Sequence, residues 1–139
     1  MLGLLAALLV TASPCPATPS LNSLPNYKPN APVRSKLGTG HVLTGVVREA
    51  ETCRPLTHAR VELWQHGPEG YTRRWSATVF TNSAGQYRFE APVPTSYHGA
   101  RPHIHLRVSL LGYAAISTVY PLRAGETRGR LDIALRRAQ

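Results

Sequence analysis

The sequence lacks the features that mark several classes of protein. Its longest apolar run, residues 2–10, has nine members, whereas a bilayer-spanning helix needs roughly 20. Its two cysteines and scattered histidines offer few paired spacings for structural zinc. Lysine occurs only twice, and the basic pairs Arg73-Arg74 and Arg136-Arg137 lie far apart. We therefore expect no membrane span, no structural zinc and no nucleic-acid partner.

The composition fits one globular domain. The chain has 139 residues, of which 42% are hydrophobic, and a net charge of +9. A domain of this size can bury a real core. The positive charge favours an anionic or polyphenolic ligand, as an electrostatic preference only.

The N-terminus has the pattern of a secretory signal peptide, over about residues 1–12. The apolar run ends at Val10-Thr11-Ala12, a small-residue cleavage site, although no Lys or Arg precedes it. We expect a secreted or periplasmic protein. Cys15 and Cys53 suit an oxidising compartment, and the sequence leaves open whether they pair.

The remainder divides into two parts. Residues 13–37 are rich in Pro, Ser, Asn and Thr and predict a linker or an extended arm. Residues 38–139 alternate short β-rich runs with turn signals, and no stretch has the spacing of an amphipathic helix. The predicted strands are 41–48, 59–65, 74–81, 86–91, 104–110, 114–120 and 130–135. About seven short strands predict an all-β, antiparallel β-sandwich.

The run 104–110 is the clearest strand. Its even positions are apolar and its odd positions are polar, continuing from His103. His103 and His105 therefore share one face, opposite the face that builds the core. Two such histidines can point at one metal ion. A polar strand face also carries histidines for no such reason, so the pair alone is weak evidence.

Two tyrosines strengthen the case for a metal. Tyr97 lies six residues before His103, in a loop with Pro and Gly, and Tyr71 follows the turn 67–70. Tyrosinate is a hard anionic ligand that suits a trivalent cation, and two phenolates with a hydroxide neutralise ferric iron. Two Tyr with two His form a chemically coherent ferric site.

Several motifs, in order, resemble those of the intradiol ring-cleavage dioxygenases. The similarity covers about residues 38–125. It rests on Gly45-Val46-Val47, Pro55-Leu56, Val-Glu-Leu-Trp-Gln at 61–65, Gly70-Tyr71, the segment 81–89 with Thr, Gly, Tyr and Phe, Tyr97, Arg-Pro-His-Ile-His at 101–105, and Ser117-Thr118-Val119-Tyr120. Two departures are a single residue, Pro102, between Arg101 and His103, and Asn82 in place of an Asp.

The resemblance implies a site and a reaction. Tyr71, Tyr97, His103 and His105 would bind non-haem Fe(III). A catechol-type diol would displace Tyr97, and O2 would cleave the ring between the hydroxylated carbons to give a muconate-type diacid. Arg101 would stabilise negative charge that develops on the substrate.

Other residues and functions stay open at this point. His98 and Trp75 are candidate substrate contacts, while His41, His58 and His66 are interpreted as surface residues and Tyr87 as a packing residue. The alternatives to an active enzyme are a metal-free transthyretin-like binding module and an iron-binding homologue that turns over poorly. The Tyr-Tyr-His-His set favours the enzyme, because a binding module has no reason to keep these four residues.

Overall fold

Two β-sheets make up the described part of the protein. The structure is a computed structural model that describes Gly3 and residues 15–139, so the predicted signal segment lies almost entirely outside it. Within the described residues there is no helix long and apolar enough to cross a membrane. The strands are β1 (His41–Glu49), β2 (Arg60–Gln65), β3 (Ser76–Phe80), β4 (Gln86–Ala91), β5 (His103–Ser109), β6 (Ile116–Pro121), β7 (Arg128–Arg130) and β8 (Ile133–Leu135).

The sheets face each other across one apolar core. One sheet has the order β4-β1-β7, with β8 also paired to β1, and the other has the order β3-β2-β5-β6. Side chains alternate across each strand, so every second residue points inward. The inward residues include Leu43, Val61, Leu63, Phe89 and Leu106, all at most 1% exposed. The predicted all-β sandwich is confirmed.

The C-terminal strand prediction needs refinement. The run predicted at 130–135 is two short strands, and both pair parallel to β1. The ladder is interrupted at Asp132, whose carboxylate Oδ1 accepts a hydrogen bond from the backbone N–H of Val46 at 2.9 Å. A side chain thus satisfies the β1 donor at the point where the neighbouring backbone turns away.

Residues 15–37 form an extended arm that lies against the sandwich. A disulfide joins Cys15 to Cys53 at its start. The backbone of Leu21 bonds to Ser117 at the β6 edge, and that of Arg34 bonds to Thr78 at the β3 edge. Between these edges Tyr27 crosses the outer face of the sheet and donates a hydrogen bond to Glu62. The arm explains why β2 is buried on both faces.

One of the predicted surface histidines is in the interior. His41 is only 2% exposed, and its Nε2 lies 2.8 Å from Oε2 of Glu126. The hydroxyl of Tyr120 donates to the same carboxylate oxygen at 2.7 Å. The surface interpretation of His41 was wrong. The distant 122–127 loop supplies a carboxylate that pairs with the imidazole, and this partner lowers the free-energy cost of burying it.

Candidate metal centre

Three donor atoms from distant parts of the chain converge beside the outer face of β5. Nε2 of His103 lies 3.1 Å from Nε2 of His105. The Tyr71 hydroxyl oxygen lies 3.4 Å from the first nitrogen and 3.2 Å from the second. The strand alternation brings the two histidines together, and a turn after β2 delivers the tyrosine.

A tight turn places Tyr71. The backbones of Gly67 and Gly70 bond to each other in both directions, at 3.1 and 2.9 Å. The indole of Trp75 packs directly against Gly67, where an added Cβ would lie 2.0 Å from its nitrogen. That indole N–H donates to Oε2 of Glu69 at 2.6 Å. A buried tryptophan and a residue without a side chain therefore hold the turn that carries Tyr71.

Both histidines are fixed by contacts on the side away from the donor atoms. Nδ1 of His103 lies 2.6 Å from the backbone carbonyl oxygen of Arg101, and such a bond places the proton on Nδ1. The ring of His105 stacks on the indole of Trp64, its register partner on β2, with centroids 5.2 Å apart and planes 9° apart. These contacts leave both Nε2 atoms directed to one point.

Burial shifts the pKa values of two of the donor residues, His105 and Tyr71. It lowers the pKa of His105 to about 4, and the electrostatic effect of the neighbouring His103 imidazole adds to this shift. His105 therefore presents a neutral imidazole with a free lone pair at neutral pH. Burial also raises the pKa of Tyr71, with a further contribution from Tyr97. Tyr71 consequently keeps its proton until a cation is bound close to its oxygen.

Tyr97 lies beside the three converging donor atoms, but its own hydroxyl is not hydrogen-bonded to any of them. It begins a two-residue turn in which His98 and Gly99 have positive φ values of 49° and 76°, as in type I′ turns. Its ring packs edge-on to Tyr71 with centroids 5.3 Å apart, and the residue is 38% exposed. Within residues 15–139 its hydroxyl makes no hydrogen bond. The structure thus brings the donor atoms of three predicted ligands together. The fourth, Tyr97, contacts this site only through the packing of its ring against Tyr71.

The donor set fits a metal ion. Donors that each lie about 2.0–2.1 Å from a shared ion are roughly 3 Å from one another, as these three are. Nitrogen and phenolic oxygen together suit ferric iron better than calcium or magnesium, which prefer all-oxygen sites. In the described part of the chain no three His, Cys, Asp or Glu side chains are grouped to hold a metal. A site here depends on tyrosine.

The remaining candidates have different positions. The Arg101 guanidinium donates to the backbone carbonyl of Leu122 at 3.2 Å, near the end of β6. His98 is exposed and packs on Tyr97, with centroids 4.1 Å apart. Trp75 is 5% exposed beneath the 67–70 turn, so it offers little surface to a substrate.

Sequence reasoning missed His66. Instead of lying free on the surface, it is partly buried against both Tyr71 and Tyr97, with centroid distances of 5.2 and 4.9 Å. The available signal was its place directly after β2, in the short stretch that leads to Tyr71. That signal is too weak to separate His66 from other histidines that follow a strand.

Comparison with known proteins identifies the fold. No protein-family model matches the chain, and no curated protein sequence matches it. Solved structures do match, among them the dioxygenase domain of a dioxygenase carbohydrate-binding protein fusion from Streptomyces sp. SirexAA-E. That domain has a TM-score of 0.75 and 21% identity, over 88% of this chain and 99% of the other.

Two further matches agree. An intradiol ring-cleavage dioxygenase from Tetranychus urticae has a TM-score of 0.74 and 19% identity, over 88% of this chain and 95% of the other. Hydroxyquinol 1,2-dioxygenase from Pseudomonas putida DLL-E4 has a TM-score of 0.75 and 13% identity, over 90% and 68%. The resemblance noted in the sequence is therefore confirmed at the level of the fold: the chain has the fold of intradiol ring-cleavage dioxygenases.

Proposed function

We propose that the protein is a non-haem Fe(III) intradiol dioxygenase. It would cleave a catechol-type aromatic diol between its two hydroxylated carbons and place both atoms of O2 in a muconate-type diacid. The observation that carries the proposal is the convergence of Tyr71 Oη, His103 Nε2 and His105 Nε2 within 3.1–3.4 Å of one another. The shared fold supports the same reaction class.

The four residues Tyr71, Tyr97, His103 and His105 would hold the iron. Bound ferric iron would supply a Lewis-acidic centre that binds the diol as its dianion and makes the ring reactive toward O2. His103 and His105 would contribute imidazole nitrogens in fixed orientations, while the tyrosines would contribute the negative charge that a trivalent ion needs. The Trp64 stack and the hydrogen bond to the Arg101 carbonyl would keep the two imidazoles in place during turnover.

Tyr97 is suited to move a proton. It lies on an exposed turn, and its hydroxyl makes no hydrogen bond within residues 15–139, so its ring is the easiest of the four to displace. Its phenolate oxygen would accept one of the two protons that the diol loses on binding. Tyr71, held by the 67–70 turn and the histidines, would stay in place.

Arg101 has two separate roles in the proposal. Its backbone carbonyl orients His103. Its guanidinium, now hydrogen-bonded to the Leu122 carbonyl, would turn toward the substrate and stabilise negative charge that develops on it. Since only a carbonyl holds it, that movement breaks a single neutral-acceptor hydrogen bond.

The first test of this proposal is the visible absorption spectrum of the iron-loaded protein. The mature domain, loaded with ferric iron, is expected to show a visible tyrosinate-to-iron charge-transfer band and to consume O2 with catechol, protocatechuate or hydroxyquinol. Tyr71→Phe and His105→Ala should each remove most of the band. His58→Asn, a substitution of an exposed histidine that lies before β2 at a positive φ of 60°, is the matched control and should keep it.

The outcomes separate the alternatives. Colour with O2 uptake supports the enzyme. Colour without uptake for any diol would leave an iron-binding protein that is not a dioxygenase. A colourless protein that takes up no iron would overturn the proposal and favour the metal-free transthyretin-like module.

We also propose that the protein is exported. The Cys15–Cys53 disulfide supports this, because such bonds persist in oxidising compartments. Cleavage after Ala12 would retain Cys15 in the mature chain. N-terminal sequencing of protein recovered from the medium or periplasm tests both points, and recovery of an uncleaved chain with free thiols would contradict them.

A further inference from the structure

His66 joins the two tyrosines of the candidate site. It follows the last residue of β2, and its ring contacts Tyr71 at 5.2 Å and Tyr97 at 4.9 Å between centroids. The two phenol rings also contact each other at 5.3 Å. The three rings form a continuous cluster in which each one packs on the other two.

His66 also fastens the loop that carries Tyr97. Its backbone carbonyl accepts a hydrogen bond from the N–H of Thr95 at 2.9 Å, and its Nδ1 lies 2.5 Å from Oγ1 of Thr95. One residue earlier, the Gln65 amide nitrogen donates to the Pro92 carbonyl at 2.8 Å. The end of β2 therefore holds the 92–99 loop at two points, and His66 supplies the one closer to Tyr97.

The contacts of His66 separate it from the donor atoms. Its Nδ1 is engaged by Thr95, and within residues 15–139 no hydrogen bond joins its ring to Tyr71 Oη, His103 or His105. Its connection to the site is through ring packing and through the loop. The contacts of His66 are therefore those of a residue that positions Tyr97 and its loop.

We propose that His66 is a positioning residue that keeps Tyr97 beside Tyr71. The hydrogen bond to Thr95 fixes the loop, and the imidazole packs against both phenols. Tyr97 needs such support because its own side chain is exposed and its hydroxyl makes no hydrogen bond in the described part of the chain. The consequence for iron rests on the proposed function, whereas the placement of Tyr97 does not.

Three substitutions separate the parts of this role. His66→Phe keeps an aromatic ring and the backbone bond to Thr95 but loses the side-chain bond between Nδ1 and Oγ1. Thr95→Val removes this side-chain bond from the other side with little change of shape, together with the 3.2 Å hydrogen bond that the Thr95 hydroxyl donates to the His66 carbonyl. His66→Asn loses the ring but places an amide where Nδ1 was, so it can restore the bond. The matched control is His58→Asn, because His58 is exposed and has a positive φ of 60°, which Asn tolerates.

The first measurement uses the metal-free protein. 3-Fluorotyrosine is incorporated, and the 19F resonance of Tyr97 is assigned from the Tyr97→Phe variant. We expect His66→Phe and Thr95→Val to move this resonance toward the free amino-acid position and to narrow it, with His66→Asn closer to wild type and His58→Asn unchanged. A wild-type Tyr97 resonance in both His66→Phe and Thr95→Val would overturn the proposal.

The second measurement uses the iron-loaded protein. His66→Phe and Thr95→Val should give the charge-transfer spectrum of Tyr97→Phe, in which one tyrosinate is lost, and His66→Asn should recover part of the difference. A two-tyrosinate spectrum in the first two variants would refute the positioning role. If wild-type protein binds no iron, the proposed function fails and the 19F result alone decides the role of His66.

Discussion

The indole of Trp64 lies parallel to the imidazole of His105, with planes 9° apart and centroids 5.2 Å apart. The same indole donates its N–H to the Pro25 carbonyl of the arm at 2.9 Å, and Tyr27 packs on its edge. A candidate metal ligand is thereby connected to a segment 80 residues earlier in the chain through one buried side chain.

Removing the aromatic face at position 64 should weaken metal binding. Trp64→Leu and Trp64→Phe both lose the bond to Pro25 and leave part of a buried volume unfilled. Each should therefore cost about 2–5 kcal/mol of unfolding free energy in thermal or urea melts. Only Phe keeps a ring for His105 to stack on. Iron affinity should therefore fall more in Trp64→Leu than in Trp64→Phe, and equal affinities would show that the stack has no part in it.

Adding one methyl group to Gly67 should disturb Tyr71. The new Cβ would lie 2.0 Å from the Trp75 indole nitrogen, so the indole or the turn must move. We expect Gly67→Ala to lower stability by about 1–3 kcal/mol, the usual cost of overpacking, and to weaken the iron charge-transfer band.

The control for that variant is Gly112→Asn, which lies at a positive φ of 90° with open space around it. A side chain at this φ is strained, and Asn is among the residues that tolerate it best, so stability should fall somewhat. The colour should not change, because Gly112 follows the end of β5 that lies opposite His103. A Gly67→Ala protein with normal colour would show that the turn can shift without moving Tyr71.

Opening the disulfide should release the start of the arm. Cys15 and Cys53 are 38 residues apart, and closing a loop of that size is worth about 4 kcal/mol in the chain-entropy account. The Cys15→Ser, Cys53→Ser double variant should unfold at lower urea, by up to that amount. Hydrogen exchange should show faster exchange first at Thr18 and Leu21, and an unchanged arm would contradict this order.

Acid should destabilise the protein through Glu49. Hydrogen bonds from Arg137 first, and then Tyr113, lower the pKa of this buried carboxyl to about 2, from an ordinary value of 4.5. A lowered folded-state pKa contributes stability above pH 4.5 that is lost as the pH falls toward 2. The melting temperature of wild type should drop over that window, whereas Glu49→Gln, less stable at pH 6, should lose less. Parallel pH curves would exclude Glu49 as the source.

Much of the fold was readable because its signals are local. Alternation at 104–110 predicted β5 and put His103 and His105 on one face, and the observed strand differs by one residue at each end. The turn signals around Gly70 and Gly99 predicted loops at Tyr71 and Tyr97. The division of 130–135 into two strands was not readable, because it depends on Asp132 replacing a backbone partner of β1.

The ligand candidates were nominated by the sequence, but their convergence was not. Residue types, spacing and the ordered motifs singled out Tyr71, Tyr97, His103 and His105. Whether an oxygen 32 residues before His103 reaches its ring depends on the pairing of β2 with β5 and on the Gly67–Trp75 contact. Neither the strand pairing nor this contact produces a periodic pattern in the sequence.

The sequence by itself determined the sandwich, the histidine face and the residue types of the site, since strand alternation and side-chain chemistry are properties of neighbouring residues. Only the tertiary structure decided that the arm covers β2, that His41 is buried against Glu126 and that His66 packs against both tyrosines. Each of these rests on contacts between segments tens of residues apart, and such contacts are fixed by how the whole chain packs.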